Sequence, residues 1–212
     1  WIVCTHTHPD HSPAWQAVAA ATGAQVIGAS PPDDMHQDTS FRPNVEVRHD
    51  HTLAASEFTL RAVHTPGHVG NHYCYFLEEE GMLFAGDHIM NGSTVVIIPP
   101  SGDMKAYITS LQLLLNYPLQ TIAPGHGDIM PQPAAAVDAL VRHRLMREAM
   151  VVNGLRRTGR TTVDELVKVV YADVNTSLHK MAMLSLSAHL IKLRDEQRVL
   201  HHLADDSWEL LQ

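Results

Sequence analysis

At 212 residues, 45% hydrophobic and 18% charged, the chain is long enough to bury a substantial core, as one large domain or as one with a small appendage. No apolar run approaches the ~20 residues of a membrane span, and no charged-then-apolar leader precedes the first strand, so nothing argues for membrane insertion or secretion and a cytoplasmic location is expected. The net charge of −8 disfavours tight, non-specific binding to duplex nucleic acid.

That charge is unevenly placed. Residues 1–133 hold 4 basic and 13 acidic side chains, a balance of −9, whereas residues 134–212 hold 11 and 10, a balance of +1, so the two parts are expected to meet different surroundings. The 16 histidines stand out more, because neutral imidazole is the commonest side-chain metal ligand. Cys4 and Cys74 lie singly in apolar runs and read as buried thiols, which suits a reducing compartment.

In chain order, Trp1 to Cys4 reads as a buried strand, and Pro13-Ala14-Trp15 opens an alanine-rich helix that Gly23 should end. Gln25 to Ala29 is a second short strand, followed by a loop rich in Pro, Asp and His from Ser30 to about Asn44. Strand patterns recur at Val45 to Arg48, Phe58 to Val63, Tyr73 to Leu77 and Met82 to Ala85, with Glu78 to Gly81 as the turn between the last two. After Gly102 the apolar residues Met104, Tyr107, Ile108, Leu111 and Leu115 recur at the helical period up to Pro118. Thr121 to Ala123 is one more strand, leading into Pro124-Gly125-His126-Gly127.

Beyond Pro133 three helices are expected: about Ala134 to Arg157, a second opening on a Thr162-to-Glu165 capping box, and about Ser177 to Glu196. Val199 to Leu203 and Trp208 to Leu211 then flank a turn as a β-hairpin, and three helices closed by a hairpin is the order of a winged helix.

Four segments place metal-ligating side chains just after a short apolar strand: His6-x-His8-x-Asp10-His11, His68 in Thr65-Pro66-Gly67-His68, Asp87 in Gly86-Asp87-His88, and His126 in Pro124-Gly125-His126-Gly127. Loops at strand ends are where a rigid scaffold positions reactive groups. Glycine and proline allow the sharp turn that brings each ligand into a shared cavity.

These motifs resemble the metallo-β-lactamase superfamily, whose fold is an α/β, αββα sandwich around a dinuclear metal site. The resemblance covers roughly residues 1–130 and implies that His6, His8 and His68 bind one zinc, that Asp10, His11 and His126 bind the other, and that Asp87 bridges them. Imidazoles with few carboxylates suit Zn2+, with Mn2+ or Fe2+ as alternatives. A hydroxide shared by the ions would be the nucleophile, its pKa lowered to about 7. Asp10 and Asp87 are then the catalytic carboxylates, Asp10 orienting the hydroxide through a hydrogen bond.

The expected organisation is a catalytic domain over 1–133, lacking some of the family's N-terminal strands, and a winged-helix-like domain over 134–212. The family's tens of residues before His-x-His are not present here, and the start on Trp1 suggests an incomplete record. The tail, with Arg144 and Arg147, Leu166 to Tyr171 and Leu178 to Ala182, is similar to that of the β-lactamase-like endoribonuclease branch. It implies a dinuclear hydrolase cleaving phosphodiesters of single-stranded RNA, with Arg142, Arg144, Arg147, Arg156, Arg157 and Arg160 as a docking face for phosphates or simply a solvated one.

The alternative is an acyl hydrolase acting on a small-molecule thioester, as in the glyoxalase II branch, or on a lactone. Ser30 to Asn44 and Asn91 to Asp103 would form the pocket walls. A metal-binding or regulatory protein without turnover is the alternative of another class. β-Lactamase activity is disfavoured by the additional domain and the missing leader. The winged helix could equally serve packing or a homodimer contact. His36, His49, His51, His143, His179, His189, His201 and His202 read as surface or packing residues. His64 is a candidate support for the ligands, and His72 and His88 either contact substrate, donating a proton, or make ordinary hydrogen bonds.

Overall fold

Alternation along the strands sorts the core of the first half into layers. In β5 (Thr59–His64) Leu60 and Ala62 face one way and Val63 the other; in β6 (Tyr73–Leu77) Tyr73 and Tyr75 oppose Cys74 and Phe76. These strands sit in a five-stranded sheet with β4 (Thr52–Ala54), β7 (Met82–Gly86) and β8 (Thr121–Pro124), in the order β4-β5-β6-β7-β8. Its pairs are antiparallel except β7 with β8, and that parallel pair is joined through α2 (Met104–Leu114), as parallel neighbours require. The computed structural model describes residues 1–34 and 36–211; Met35, inside the loop expected at 30–44, and Gln212 lie outside the described residues.

Facing this sheet is a parallel one of β1 (Ile2–Val3), β2 (Val26–Gly28) and β3 (Val45–Glu46). Ile27, Val47, Leu53, Ala62, Tyr73 and Tyr75 fill the space between the sheets. The outer face of the small sheet, with Cys4, Val26 and Phe41, is covered by Trp15 and Ala19 of α1 (Trp15–Thr22). The outer face of the large sheet packs Val63, Cys74, Phe76, Leu83 and Ala85 against Tyr107, Leu111 and Leu114 of α2. The layer order is therefore helix, sheet, sheet, helix. The three-stranded sheet is narrower than its partner, so Phe84 of β7, on the inward face, is 41% exposed.

The second half holds α3 (Pro133–Thr158), α4 (Val163–Val170) and α5 (His179–Asp195), the last preceded by a 3-10 turn over Thr176–Leu178. A three-stranded sheet in the order β10-β11-β9 closes it, from β9 (Thr161–Thr162), β10 (Val199–His202) and β11 (Ser207–Leu210). Val151, Leu155, Leu166, Val170, Leu186, Leu190 and Trp208 form its core. The first turns of α3 belong to the other core, because Val137, with Leu140 and Val141, packs on the α2 side of the large sheet.

Three expectations change. β4 and β9 are too short to have shown a period-2 pattern, and both exist only through pairing with β5 and β11. On α2 the buried position in the last turn is Leu114, fully buried, whereas Leu115 caps the helix and is 46% exposed. The Thr162 cap forms by accepting from the Glu165 amide, but the Glu165 carboxylate pairs with Lys168 at 2.7 Å instead of closing the capping box.

Candidate metal centre

The four ligand-bearing segments leave β1, β5, β7 and β8 at the same rim of the two sheets, and all seven candidate side chains converge there. Ligand atoms of His6, His8 and His68 lie within 4.8 Å of one another, as do those of Asp10, His11 and His126, and those of His6, His11 and Asp87. Two of these groups are the two triads expected from the sequence. Asp87 reaches both sides: its carboxylate is 3.7 Å from His68 Nε2, 3.2 Å from His11 Nε2 and 3.4 Å from His126 Nε2.

The ligand tautomers follow from what each ring touches. His68 Nδ1 is 3.0 Å from the Val96 carbonyl, which can only accept, so Nδ1 carries the hydrogen and Nε2 keeps its lone pair. That Nε2 lies 3.0 Å from His8 Nδ1, and His6 Nε2 lies 3.1 Å from the same atom. Burial lowers the basicity of all three, assisted by the neighbouring imidazoles; His8 falls to about 4 and His6 falls furthest. Neutral imidazole nitrogens converging in this way bring several lone pairs to one point, an arrangement that a shared cation stabilises, so the donor set fits a divalent transition metal.

The other triad is more polar. Burial lowers His11, but its hydrogen bond to Asp87 and the charges of Asp87 and Asp10 outweigh that, and its pKa is raised. Burial likewise raises Asp87, but His11, His68 and His126 pull it below the usual carboxylate range. Asp10 is more exposed than Asp87, with Oδ2 3.2 Å from His126 Nε2.

The turns explain why the ligands can meet. Gly67, at φ +143°, carries the chain past Tyr107 so closely that an added Cβ would lie 2.3 Å from the Tyr107 Cα. At Gly125, φ is unremarkable, but a Cβ would meet Asp87 Oδ1 at 2.9 Å. Above the cluster opens a cleft of about 680 Å3. His8, Asp10 and His68 form its floor, and its walls are lined by Ile98, Pro99 and Pro100 from one loop and Asp33, Asp34 and Gln37 from another, so they come from the loops expected to supply them.

A family model described as the metallo-beta-lactamase superfamily matches residues 1–126. The chain belongs to that superfamily. A second model, the beta-lactamase associated winged helix domain, matches residues 162–208, so the fold is the superfamily's α/β fold with a C-terminal winged helix domain. The chain is 28% identical over 210 residues to a beta-lactamase-like protein 2 homologue of Drosophila melanogaster, covering 93% of this chain and 69% of the relative. It is 34% identical over 154 residues to an atrochrysone carboxyl ACP thioesterase of Aspergillus chevalieri, covering 68% of this chain and 48% of that one. It thus spans about half to two thirds of the length of these curated relatives.

A metallo-beta-lactamase family protein of Thermus thermophilus shares the fold with a TM-score of 0.81 at 21% identity, over 99% of this chain and 79% of that one. The superfamily, with thioesterase-named proteins among the relatives, marks the chain as a hydrolase. Among the described residues no helix is long and apolar enough to cross a membrane.

The remaining histidines divide by burial. His72 and His88 are fully buried behind the ligands, so neither contacts a substrate in the cleft. His72 packs on His6 with ring centres 5.0 Å apart and shares a 2.9 Å hydrogen bond with Thr65, whereas neither His88 nitrogen has a partner. His64 turns away from the ligands to the Gly70 carbonyl. His189 is a fully buried packing residue, and His36 is exposed on the rim of the cleft.

The six arginines expected on one basic face are not equivalent. Arg144 is buried with Nη2 2.6 Å from the Val95 carbonyl, Arg147 makes two bonds to Asp173 at 2.8 and 2.9 Å, and Arg160 pairs with Asp205 at 2.7 Å. Arg142, Arg156 and Arg157 remain exposed. The burial of Arg144 had a signal in the sequence: Val137, Arg144 and Val151 recur by sevens, with Glu148 and Leu155 on the same face of α3.

Proposed function

We propose that the chain is a dinuclear, zinc-dependent acyl hydrolase acting on a thioester of a small or apolar acyl group. The observation that carries this reading is the composition of the cleft. Ile98, Pro99 and Pro100 offer apolar surface to an acyl chain, and Asp33 and Asp34 add negative charge to the wall of the same cleft. Burial raises Asp34, but the Ser101 hydroxyl, the His36 amide and Gln37 outweigh that and hold it below the usual carboxylate range, so it is ionised at neutral pH. Such a wall repels phosphates, which counts against a polyanionic strand lying across the site. The engagement of Arg144, Arg147 and Arg160 in internal contacts removes half of the basic set that an RNA would use.

In this reading His6, His8 and His68 would hold one ion and Asp10, His11 and His126 the other, with Asp87 available to both. Bound there, the ions supply Lewis acidity and lower the pKa of water. Asp10, at the floor of the cleft, accepts a hydrogen bond from the attacking water and sets its direction. The water, having lost one proton to solvent, bonds through its oxygen to the acyl carbon, the carbon–sulfur bond breaks and its electron pair leaves on the thiolate. A thiol ionises near pH 8.5, far more readily than an alcohol, so the departing sulfur needs no buried acid, which agrees with His72 and His88 being sealed from the cleft. The thioesterase relative supports the same substrate class.

The test is release of free thiol from hexanoyl-N-acetylcysteamine by the zinc-loaded protein, with a labelled single-stranded RNA and a hexanoyl lactone in parallel and Asp87→Ala as control. Thiol release that the substitution abolishes supports the reading. Cleavage of RNA or lactone alone, sensitive to the same substitution, replaces it with phosphodiester or lactone hydrolysis, and a zinc-loaded protein inert to all three returns a metal-binding protein without turnover.

A further inference from the structure

A buried cation of the C-terminal half reaches the catalytic half at the point where two ligands are held. Arg144 projects from α3 with its guanidinium 5.0 Å from the centre of the Tyr107 ring, and its Nη2 donates to the Val95 carbonyl at 2.6 Å. The next carbonyl, that of Val96, takes the hydrogen bond that fixes His68 in the tautomer with Nε2 free. Tyr107 in turn donates its hydroxyl to the His88 carbonyl at 3.0 Å, and His88 follows Asp87 directly. The Tyr107 backbone is also the surface against which Gly67 turns before His68. The turn is tied down twice more along α2, by the Asp103 amide on the Gly67 carbonyl at 2.8 Å and by the Ser110 hydroxyl on the Pro66 carbonyl at 2.9 Å.

We propose that Arg144 is a positioning residue for the metal centre: it fixes the Val95–Val96 strap that orients His68 and the Tyr107 side chain that holds the backbone beside Asp87. The inference rests on the dinuclear reading above. The winged-helix half then contributes to metal affinity without touching the metal, through one side chain that crosses between the two cores. A planar guanidinium suits this place, since it stacks on an aromatic face while donating in its plane to a carbonyl. Removing an outer partner of a metal ligand weakens metal binding by about 10–100-fold in comparable sites, and Arg144 acts on two ligands.

The experiment measures the zinc dissociation constant by chelator competition, and the thermal midpoint with and without zinc, for the full chain and for Arg144→Met, Arg144→Lys, Tyr107→Phe and Arg147→Ala. Arg147 is the control, since it lies on the same helix but pairs with Asp173 and packs over Tyr171 at 4.8 Å, away from the ligands. Weakening by about 10-fold or more in Arg144→Met, partial recovery in Arg144→Lys and a smaller loss in Tyr107→Phe are expected. Arg147→Ala should melt lower with its zinc affinity intact. If Arg144→Met does not fold, Arg144→Lys and Tyr107→Phe carry the test.

Replacement of zinc by Co2+ adds a readout of geometry, and the Arg144 variants should shift its visible absorption while Arg147→Ala does not. Wild-type affinity in the Arg144 and Tyr107 variants overturns the inference, as does an equal loss in Arg147→Ala, which would mark a general loosening. A wild-type chain that binds no zinc overturns the dinuclear reading and this inference together.

Discussion

Substituting Gly67 by alanine tests the geometry of the site without any assumption about what it binds. At φ +143° an L residue is strained by roughly 1–3 kcal/mol. The new Cβ would also fall 2.3, 2.5 and 2.6 Å from Tyr107 Cα, Cβ and N, atoms of α2 that cannot rotate away. Ordinary contact needs about a further 1 Å, so the turn must lift off the helix. Lifting it puts the Asp103–Gly67 and Ser110–Pro66 hydrogen bonds at risk, each worth about 1 kcal/mol.

The sum is about 3–5 kcal/mol, which for a chain of this size lowers the thermal midpoint by about 6–20 °C. The melt is read by circular dichroism in chelator, so that lost metal does not contribute, with Gly70→Ala as the comparison, because nothing lies within 4 Å of a Cβ there. A Gly67→Ala protein melting within about 2 °C of Gly70→Ala, less than the shift from 1 kcal/mol, would refute the close approach of the His68 turn to α2.

The register of α2 is tested by two alanine substitutions: Leu114→Ala should cost about 2–5 kcal/mol as a cavity in the core, and Leu115→Ala less than about 0.5 kcal/mol at the exposed cap, measured by urea unfolding. His189 is held down to about 3 by burial and then by Arg144 and Lys192, so between pH 6.5 and 3 the unfolded chain binds a proton that the folded chain does not, and stability falls as the pH drops through that window. The loss attributable to it is at most about 1.4 kcal/mol per pH unit below 6.5. His189→Gln should flatten the unfolding free energy against pH by that amount, and an unchanged slope would mean that the ring is protonated in the fold. Zinc at 100 times its dissociation constant should stabilise the chain by about 2.7 kcal/mol; an equal shift in His68→Ala would place the binding elsewhere.

The convergence of the seven candidate side chains was legible because its signal is local. Each follows an apolar strand, and each turn needs glycine or proline, so seven side chains far apart in sequence could be assigned to one rim from four short segments. The walls of the cleft were legible as segments but not as chemistry, since the meeting of Pro99 and Pro100 with Asp33 and Asp34 in one cleft depends on how two loops fold over the site. The basic face was misread in part. Counting arginines along α3 treats them alike, whereas the seven-residue spacing from Val137 turns Arg144 inward and leaves Arg142 outside. β4 and β9 had no local signal, because two or three residues become a strand only when a neighbour offers a ladder.

The sharing of α3 between two cores bears on how the halves cooperate. If the helix merely linked two finished domains, its buried positions would begin beyond the catalytic core. Instead Val137 is buried against the α2 side of the large sheet, with Leu140 and Val141 beside it, and Ala188 of α5 joins the same cluster. Further along, Val151 and Leu155 enter the winged-helix core, so one rigid helix is buried at both ends and cannot shift in one half without strain in the other. Arg144 lies between these two anchors, where the helix is least free to move. A buried guanidinium is costly unless it is hydrogen-bonded, and Arg144, whose Nε finds no partner among the described residues, is held by the Val95 carbonyl and the Tyr107 face, so the contacts that keep it buried are supplied by the catalytic core.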